Sequence, residues 1–229
     1  MGELRRGAIF DLDGTLVDSS ADLIAAANAA LARGGFAGRL DPGPDAGVSG
    51  RGGRAMLRLG LARSGLAGAE ALEVVEALYP PFLLDYDGML ADRTRLFPGV
   101  EACFDTLEAS GWALAICTNK PEGLARKLLS ALGVLDRFAA VLGADTLPVR
   151  KPDPEHLHET IRRAGAAPGA SVLVGDTVTD RETARRAGAP SVLMDFGLSA
   201  DDPHALKPAA VVTDFGALAG VLEGLVPRK

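Results

Sequence analysis

Residues 8–19, AIFDLDGTLVDS, decide how the rest of the chain is interpreted. A short apolar run ends abruptly there in the sequence DLDGT at 11–15. In a strand the side chains of residues i and i+2 point to one side, so Asp11 and Asp13 can face one small volume. Burying such charges is costly unless they are paired or bind a metal. The pattern therefore predicts two carboxylates that hold a cation or, alternatively, a strand that ends in an Asx-type turn.

Length and charge limit the class of protein. The 229 residues suffice for an α/β domain with a small insert, and a net charge of −6 without a basic run argues against nucleic-acid or membrane-surface partners. No stretch has the length and apolarity of a membrane span, and no apolar leader precedes the first predicted strand. We expect a cytoplasmic protein with no nucleic-acid or membrane partner, either a monomer or a homodimer.

Cysteine and histidine give no metal-binding pattern. Cys103 and Cys117 are the two cysteines, and their spacing is not that of a metal site, so we predict free thiols. His156 and His158 are two residues apart, and a helix would splay them. Both imidazoles are predicted to be solvated on the surface.

Six short apolar runs alternate with segments of helical periodicity. Most of these runs are continuously apolar, as in buried parallel strands, and the alternation is typical of a doubly wound α/β sheet with a Rossmann-like core. The predicted strands are 8–10, 113–117, 139–142, 171–174, 191–194 and 210–212.

One interval, residues 18–94, breaks this alternation and contains no convincing strand. Helices are predicted there at 21–33, 54–63, 69–79 and 82–90, with Pro80-Pro81 as a break between the last two. An insert after the first strand would lie over the carboxyl ends of the strands, where α/β proteins bind ligands. We expect residues 1–17 and 95–229 to form the core and 18–94 to form a helical cap.

Four polar groups are predicted to follow separate strands. They are DLDGT at 11–15, Thr118-Asn119, Lys151 within RKPDP at 150–154, and GDTVTD at 175–180. Each one alone has an ordinary explanation as a turn, a helix cap or a solvated lysine. Together they are expected to converge at one end of a parallel sheet. They would supply there the carboxylate, hydroxyl and ammonium groups that phosphoryl transfer needs.

The order and spacing of DLDGT, TN, KPDP and GDxxxD resemble the haloacid dehalogenase superfamily, specifically its phosphatases with a helical cap inserted after the first motif. The stretches FLLDYDGMLADRTRLFPGV, ICTNK and RKPDPEHLHET are similar to those of phosphoglycolate phosphatases. The resemblance implies Mg²⁺-dependent hydrolysis of a small phosphate monoester through an aspartyl-phosphate, with 2-phosphoglycolate as the expected substrate.

The resemblance also implies a role for each matching residue. Asp11 would be the nucleophile and Asp13 the general acid and base, with Thr118 and Lys151 as the other catalytic residues. Mg²⁺ would be held by the Asp11 side chain, the Asp13 carbonyl and Asp176, with Asp180 behind them orienting a metal-bound water or the lysine. The expected phosphate and substrate contacts are Gly14, Thr118, Asn119, Lys151, Arg51 and Arg54. The two arginines would either bind a substrate carboxylate or merely cover the cap surface.

Other activities of this superfamily provide the alternatives. Its dehalogenases lack a carboxylate at the position of Asp13, and its phosphonate hydrolases use a cap lysine, whereas no lysine occurs before residue 96. A phosphatase for another small metabolite stays open, and so does a hexose-phosphate mutase, although GRGGR at 50–54 matches the mutase cap poorly. A non-catalytic phosphate-binding or interaction protein would require the loss of a catalytic residue, and none is lost.

Overall fold

The chain divides into two compact units. The computed structural model describes residues 5–196 and 202–227. One unit, called here the α/β unit, comprises Met1–Val17 and Leu96–Lys229, and the other, the helical unit, comprises Asp18–Arg95. Two-residue strands, Val17–Asp18 and Arg95–Leu96, pair where the chain passes between the units.

The α/β unit is built on a six-stranded sheet in which neighbouring strands pair in parallel. The strands are β1 (Arg5–Phe10), β2 (Trp112–Cys117), β3 (Ala140–Leu142), β4 (Ala166–Gly175), β5 (Ser191–Met194) and β6 (Ala210–Val212). The order across the sheet is β3-β2-β1-β4-β5-β6, so the chain leaves β1 toward one edge and later returns to build the other. This confirms the predicted doubly wound α/β class.

The central strands are buried and mostly apolar toward their carboxyl ends, because helices cover both faces of the sheet. All six residues of β2 are buried. β4 begins at Ala166, earlier than the predicted 171–174, because Ala166 already pairs with β1 on the far side of a register shift. The register shifts there from Arg5–Ala166 to Gly7–Ser171. Gly7 is required at this point, since a Cβ would overlap the Ser171 hydroxyl.

The helical unit contains α1 (Ser20–Arg33), α2 (Ala46–Ser49), α3 (Gly53–Arg63) and α4 (Gly68–Gly88). The predicted break at Pro80-Pro81 is wrong, because both prolines lie inside α4. A proline inside a helix loses a backbone hydrogen bond, so other contacts must offset the cost. They come from a buried stripe at helical spacing that crosses the prolines without changing phase: Ala71, Val75, Leu78, Phe82 and Tyr86.

In the part of the chain that the structure describes, the sheet is flanked by five further helices: α5 (Val100–Ala109), α6 (Glu122–Ala131), α7 (Pro154–Arg163), α8 (Val178–Ala187) and α9 (Phe215–Leu225), with a 3₁₀ turn at Leu135–Arg137. Asp153 caps α7 by accepting a hydrogen bond from Glu155 N, and Gly188 ends α8 with φ of 68°. Within the described ranges, none of the helices combines the length and apolarity that crossing a membrane requires.

Candidate active site

The three central strands, β1, β2 and β4, end beside one another at the point where the strand order reverses. Asp11 directly follows β1, Thr118 follows β2 and Asp176 follows β4. Asp11 N donates to Val174 O at 2.9 Å, and Thr118 N donates to Leu142 O at 3.0 Å. These bonds continue the sheet ladder one residue past each strand and fix both backbones. In open α/β sheets this switch point is where ligands bind.

Lys151 reaches the same place by another route. The prediction that Lys151 directly follows a strand is wrong, because residues 143–150 separate it from β3. It lies in the turn before α7. Its Nζ is 2.9 Å from Asp11 Oδ1 and 2.7 Å from Asp180 Oδ1. Asn119 Nδ2 donates to the Lys151 carbonyl at 3.0 Å, which holds the backbone of the lysine against the end of β2.

Asp11, Asp176 and Asp180 form a buried carboxylate cluster, in which one oxygen from each lies within 4.8 Å of the others. Burial raises the pKa of Asp11 to about 6, with Lys151 opposing the rise and Asp180 adding to it. Burial also raises the pKa of Asp176 well above its usual range, and the charges of Asp180 and Asp11 raise it further. For Lys151, burial lowers the pKa, but Asp11 and Asp180 more than offset this, so the net pKa is raised. Such a cluster favours a bound cation.

Asp180 is fully occupied by hydrogen bonds. Its Oδ1 accepts from Lys151, while its Oδ2 accepts from Asp176 N at 3.3 Å, Thr177 N at 3.1 Å and Thr177 Oγ1 at 2.7 Å. The side chain is completely buried at the start of α8. A Cβ on Gly175 would overlap it, so only glycine leaves room for this carboxylate. Asp180 is therefore placed to fix Lys151 and the turn after β4.

The loop after β1 supports Asp176. Thr15 Oγ1 donates to Asp176 Oδ1 at 2.8 Å. Gly14 has φ of 84°, and a Cβ there would overlap Asp176 Oδ2. The Gly14 N–H donates to Val17 O at 2.9 Å, so it closes the turn. The DLDGT sequence thus places a carboxylate at the strand end and leaves room for a second one from β4.

Lys120 is a site residue that the sequence analysis missed. Its Nζ donates to both carboxylate oxygens of Asp13, at 2.9 and 2.8 Å, and the lysine is only 7% exposed. Lys120 N donates to Thr118 Oγ1 at 3.2 Å, and Lys120 O accepts from Ala144 N at 3.0 Å. The one signal in the sequence was its position two residues after Thr118, just past a buried strand.

The two arginines expected to bind substrate lie in the helical unit. Arg54 donates from Nε and Nη2 to the two carboxylate oxygens of Glu76, at 2.6 and 2.8 Å. Its guanidinium also lies 3.5 Å from the centre of the Tyr79 ring. Arg51 is exposed. The contacts of Arg54 are therefore made within the helical unit, and a substrate role for either arginine stays a prediction.

His156 corrects the expectation of two surface histidines. Its side chain is completely buried, with Nε2 3.1 Å from Gly143 O and Nδ1 3.7 Å from Cys117 Sγ. Burial, helped by the charge of Lys151, lowers its pKa to about 4. His158 is exposed, because two residues along α7 turn the side chain to the other face. Cys117 is a free thiol, as predicted, and burial raises its pKa to about 12.

Known proteins resemble the chain over nearly its whole length. The family model for haloacid dehalogenase-like hydrolases matches residues 6–188. A phosphoglycolate phosphatase of Mesorhizobium japonicum is 41% identical over 92% of this chain and 91% of its own, and one of Agrobacterium fabrum is 39% identical over 96% and 94%. A crystal structure described as a predicted phosphoglycolate phosphatase of Haemophilus somnus superposes with a TM-score of 0.81 at 26% identity, covering 95% of this chain and 97% of that one.

Proposed function

We propose that this chain, which belongs to the haloacid dehalogenase-like hydrolase family, hydrolyses a small phosphate monoester, namely 2-phosphoglycolate, to glycolate and phosphate. The observation that carries the proposal is the buried Asp11 carboxylate at the end of the central strand, with Lys151 Nζ at 2.9 Å and Asp176 beside it. The substrate is supported by the names of the relatives. Residues 18–94 are proposed to be the cap of this enzyme.

The carboxylate cluster fits a hard divalent cation. Its donors are all oxygen atoms, which is the set that Mg²⁺ prefers. Burial and the neighbouring carboxylates raise the pKa of Asp11 and of Asp176, and a bound cation would favour their ionised forms. Because the hydrogen bonds of Asp180 use both its oxygens, Asp11 and Asp176 are the members of the cluster that we assign as ligands. The Asp13 carbonyl is proposed as a further ligand from the family resemblance. When bound, Mg²⁺ supplies positive charge against the phosphate oxygens.

In the first half of the reaction the Asp11 carboxylate attacks phosphorus. The bond from phosphorus to the leaving oxygen breaks, and Asp13 donates a proton to that oxygen, which releases glycolate and leaves an aspartyl-phosphate. Lys151 neutralises charge on the phosphoryl group, and the Thr118 hydroxyl donates to one of its oxygens. Asp180 keeps the lysine in place through the 2.7 Å contact.

In the second half Asp13 accepts a proton from a water molecule, whose oxygen attacks the phosphorus of the aspartyl-phosphate. The bond between phosphorus and Asp11 breaks, phosphate leaves and the Asp11 carboxylate is restored. The Asn119 side chain holds the Lys151 carbonyl. The backbone N–H of Asn119 is proposed to face the phosphate. Gly14 acts by leaving space for Asp176.

The test is hydrolysis of 2-phosphoglycolate in Mg²⁺, measured as phosphate release by wild type, Asp11→Asn and the surface control Asp136→Asn. We expect Asp11→Asn to reduce kcat to background and the control to retain wild-type kcat. Mass spectrometry should exclude deamidation of the variant. Absence of phosphate release from any small monoester by wild type would refute the hydrolase proposal. Release from other esters alone would refute only the substrate, and conversion of a hexose phosphate without release would indicate a mutase.

A further inference from the structure

We infer that Lys120 binds the carboxylate of the substrate and thereby sets specificity from within the α/β unit. The inference rests on the proposed function. The observation behind it is the pairing of Lys120 Nζ with both oxygens of Asp13, at 2.9 and 2.8 Å. Asp13 is the residue proposed to contact the leaving oxygen, so this ammonium group lies beside the leaving group.

The position of Lys120 is fixed by its backbone. Its N–H is bonded to Thr118 Oγ1, and its carbonyl accepts from Ala144 N, so the residue is tied both to the end of β2 and to the loop after β3. The side chain is almost completely buried, which is unusual for lysine and requires a partner for its charge. A buried ammonium on a fixed backbone can exchange one carboxylate for another nearby without reorganising the loop.

Such an exchange is required by the proposed reaction. Lys120 occupies both oxygens of Asp13, whereas Asp13 must turn one oxygen to the leaving group. Lys120 must then release that oxygen, and withdrawing part of the negative charge that faces a buried ammonium is costly. The carboxylate of phosphoglycolate is one methylene away from the ester oxygen and can take the place of Asp13. A neutral substituent cannot, so the exchange favours esters that carry a carboxylate next to the leaving oxygen.

The other candidate cations are engaged differently. Lys151 is held between Asp11 and Asp180, where it faces the transferring phosphoryl group. Arg54 forms a bidentate pair with Glu76 and stacks on Tyr79. Lys120 is thus the cation that lies against Asp13, the residue proposed to contact the leaving oxygen.

The experiment compares 2-phosphoglycolate with its neutral isostere 2-phosphoglycolamide, using kcat/KM of wild type, Lys120→Met, Lys120→Gln and Lys120→Arg. Lys120→Gln keeps a donor for Asp13 without the charge, and therefore tests the charge even where Lys120→Met does not fold. We expect both neutral variants to lose about 10- to 100-fold more on phosphoglycolate than on the amide, chiefly in KM, and Lys120→Arg to recover part of that difference. The exposed control Lys127→Met should match wild type.

The alternatives give different patterns. Equal losses on both substrates would mean that Lys120 only holds Asp13, and this would overturn the inference, as would unchanged selectivity in both neutral variants. If instead Arg51→Ala lost kcat/KM on phosphoglycolate but not on the amide, the substrate carboxylate would be bound by the helical unit, and the inference would be overturned. Should wild type hydrolyse neither compound but cleave other monoesters, the proposed substrate fails and the inference fails with it. A wild type that hydrolyses both equally well refutes the inference alone.

Discussion

At the scale of single residues, the site is a balance of buried charges. Lys151 joins Asp11 to Asp180, and Lys120 neutralises Asp13. With Asp176 included, four carboxyl groups face two ammonium groups, and this surplus of acidic side chains favours a divalent cation. Burial is the main cause of the raised pKa of Asp11 and of Asp176, and the charges of neighbouring carboxylates add to it. Lys151 therefore pairs with the proposed nucleophile, Asp11, and Lys120 pairs with the proposed general acid and base, Asp13.

Gly14 offers a residue-scale test of the space around Asp176. Gly14 and Gly133 both have positive φ, 84° and 74°, but a Cβ would overlap Asp176 only at Gly14, and at Gly133 it would meet nothing within 4 Å. Substitution by Ala should cost roughly 1–2 kcal/mol of unfolding free energy from backbone strain at either position. Only Gly14→Ala should also lower kcat, by at least about tenfold, because Asp176 must move. Urea unfolding and phosphate release measure the two effects, and equal kcat in both variants would contradict the steric explanation.

His156 predicts how stability depends on pH. Its pKa in the folded protein is about 4, below the ordinary 6.5, so its contribution is fully present above 6.5 and is lost as the pH falls from 6.5 toward 4. The unfolding free energy of wild type should therefore fall by about 2 kcal/mol more between pH 7.5 and 5 than that of His156→Gln. His158→Gln, which removes an exposed imidazole, should keep the wild-type slope. Equal slopes in all three proteins would show that His156 takes up its proton without cost.

The residues that the sequence did and did not predict differ in a physical way. Asp11 and Gly14 could be found because a carboxylate and a glycine after an apolar strand are unfavourable without a special use. Lys120 and His156 could not, because a lysine or histidine in a loop or helix is ordinary. Their partners, Asp13 and Gly143, are distant in sequence. Burial of such side chains is decided by tertiary packing alone.

At the scale of elements, two serines allow a comparison of strands. Ser171 in β4 and Ser191 in β5 are both buried, but Ser171 Oγ donates to Ala167 O at 2.8 Å, whereas Ser191 Oγ has no hydrogen-bond partner among the described residues. Ser171→Ala should lower the unfolding free energy by about 1 kcal/mol. Ser191→Ala should leave it unchanged or raise it by up to about 1 kcal/mol, because an unsatisfied polar group is removed. Urea unfolding followed by Trp112 fluorescence measures both, and equal losses would contradict the assignment.

Elements were predictable where one kind of signal sufficed. The strands at 191–194 and 210–212 were predicted with the bounds that β5 and β6 have, because buried parallel strands are short, continuous apolar runs. The helix α4 was divided wrongly at Pro80-Pro81. A proline indicates only that its own backbone N–H is missing from the helix, and it does not show whether packing can offset that loss. The stacked rings of α4, Tyr79 on Phe82 and Phe82 on Tyr86, belong to packing across several turns. Local propensity does not contain that information.

At the scale of the whole molecule, the positions of tryptophan and tyrosine allow the unfolding of each unit to be followed by its own spectroscopic signal. The chain has one tryptophan, Trp112, which lies in β2 of the α/β unit, and two tyrosines, Tyr79 and Tyr86, which lie in α4 of the helical unit. Tryptophan fluorescence excited selectively therefore reports unfolding of the α/β unit, and tyrosine absorbance reports unfolding of the helical unit. The residues proposed to hold Mg²⁺ all belong to the α/β unit.

Adding Mg²⁺ to chelated protein should therefore stabilise the α/β unit. At a concentration about 100-fold above Kd, binding adds about 2.7 kcal/mol, which corresponds to a rise of roughly 5–10 °C in the Tm seen by Trp112. Tyrosine absorbance should shift less. Asp176→Asn should abolish the rise, yet in EDTA this variant should unfold at a higher temperature than wild type. The reason is that a carboxyl whose pKa is raised by burial destabilises the fold when it is ionised at neutral pH. An unchanged Tm of wild type in Mg²⁺, or the same rise in Asp176→Asn, would contradict the binding of Mg²⁺ at this carboxylate cluster.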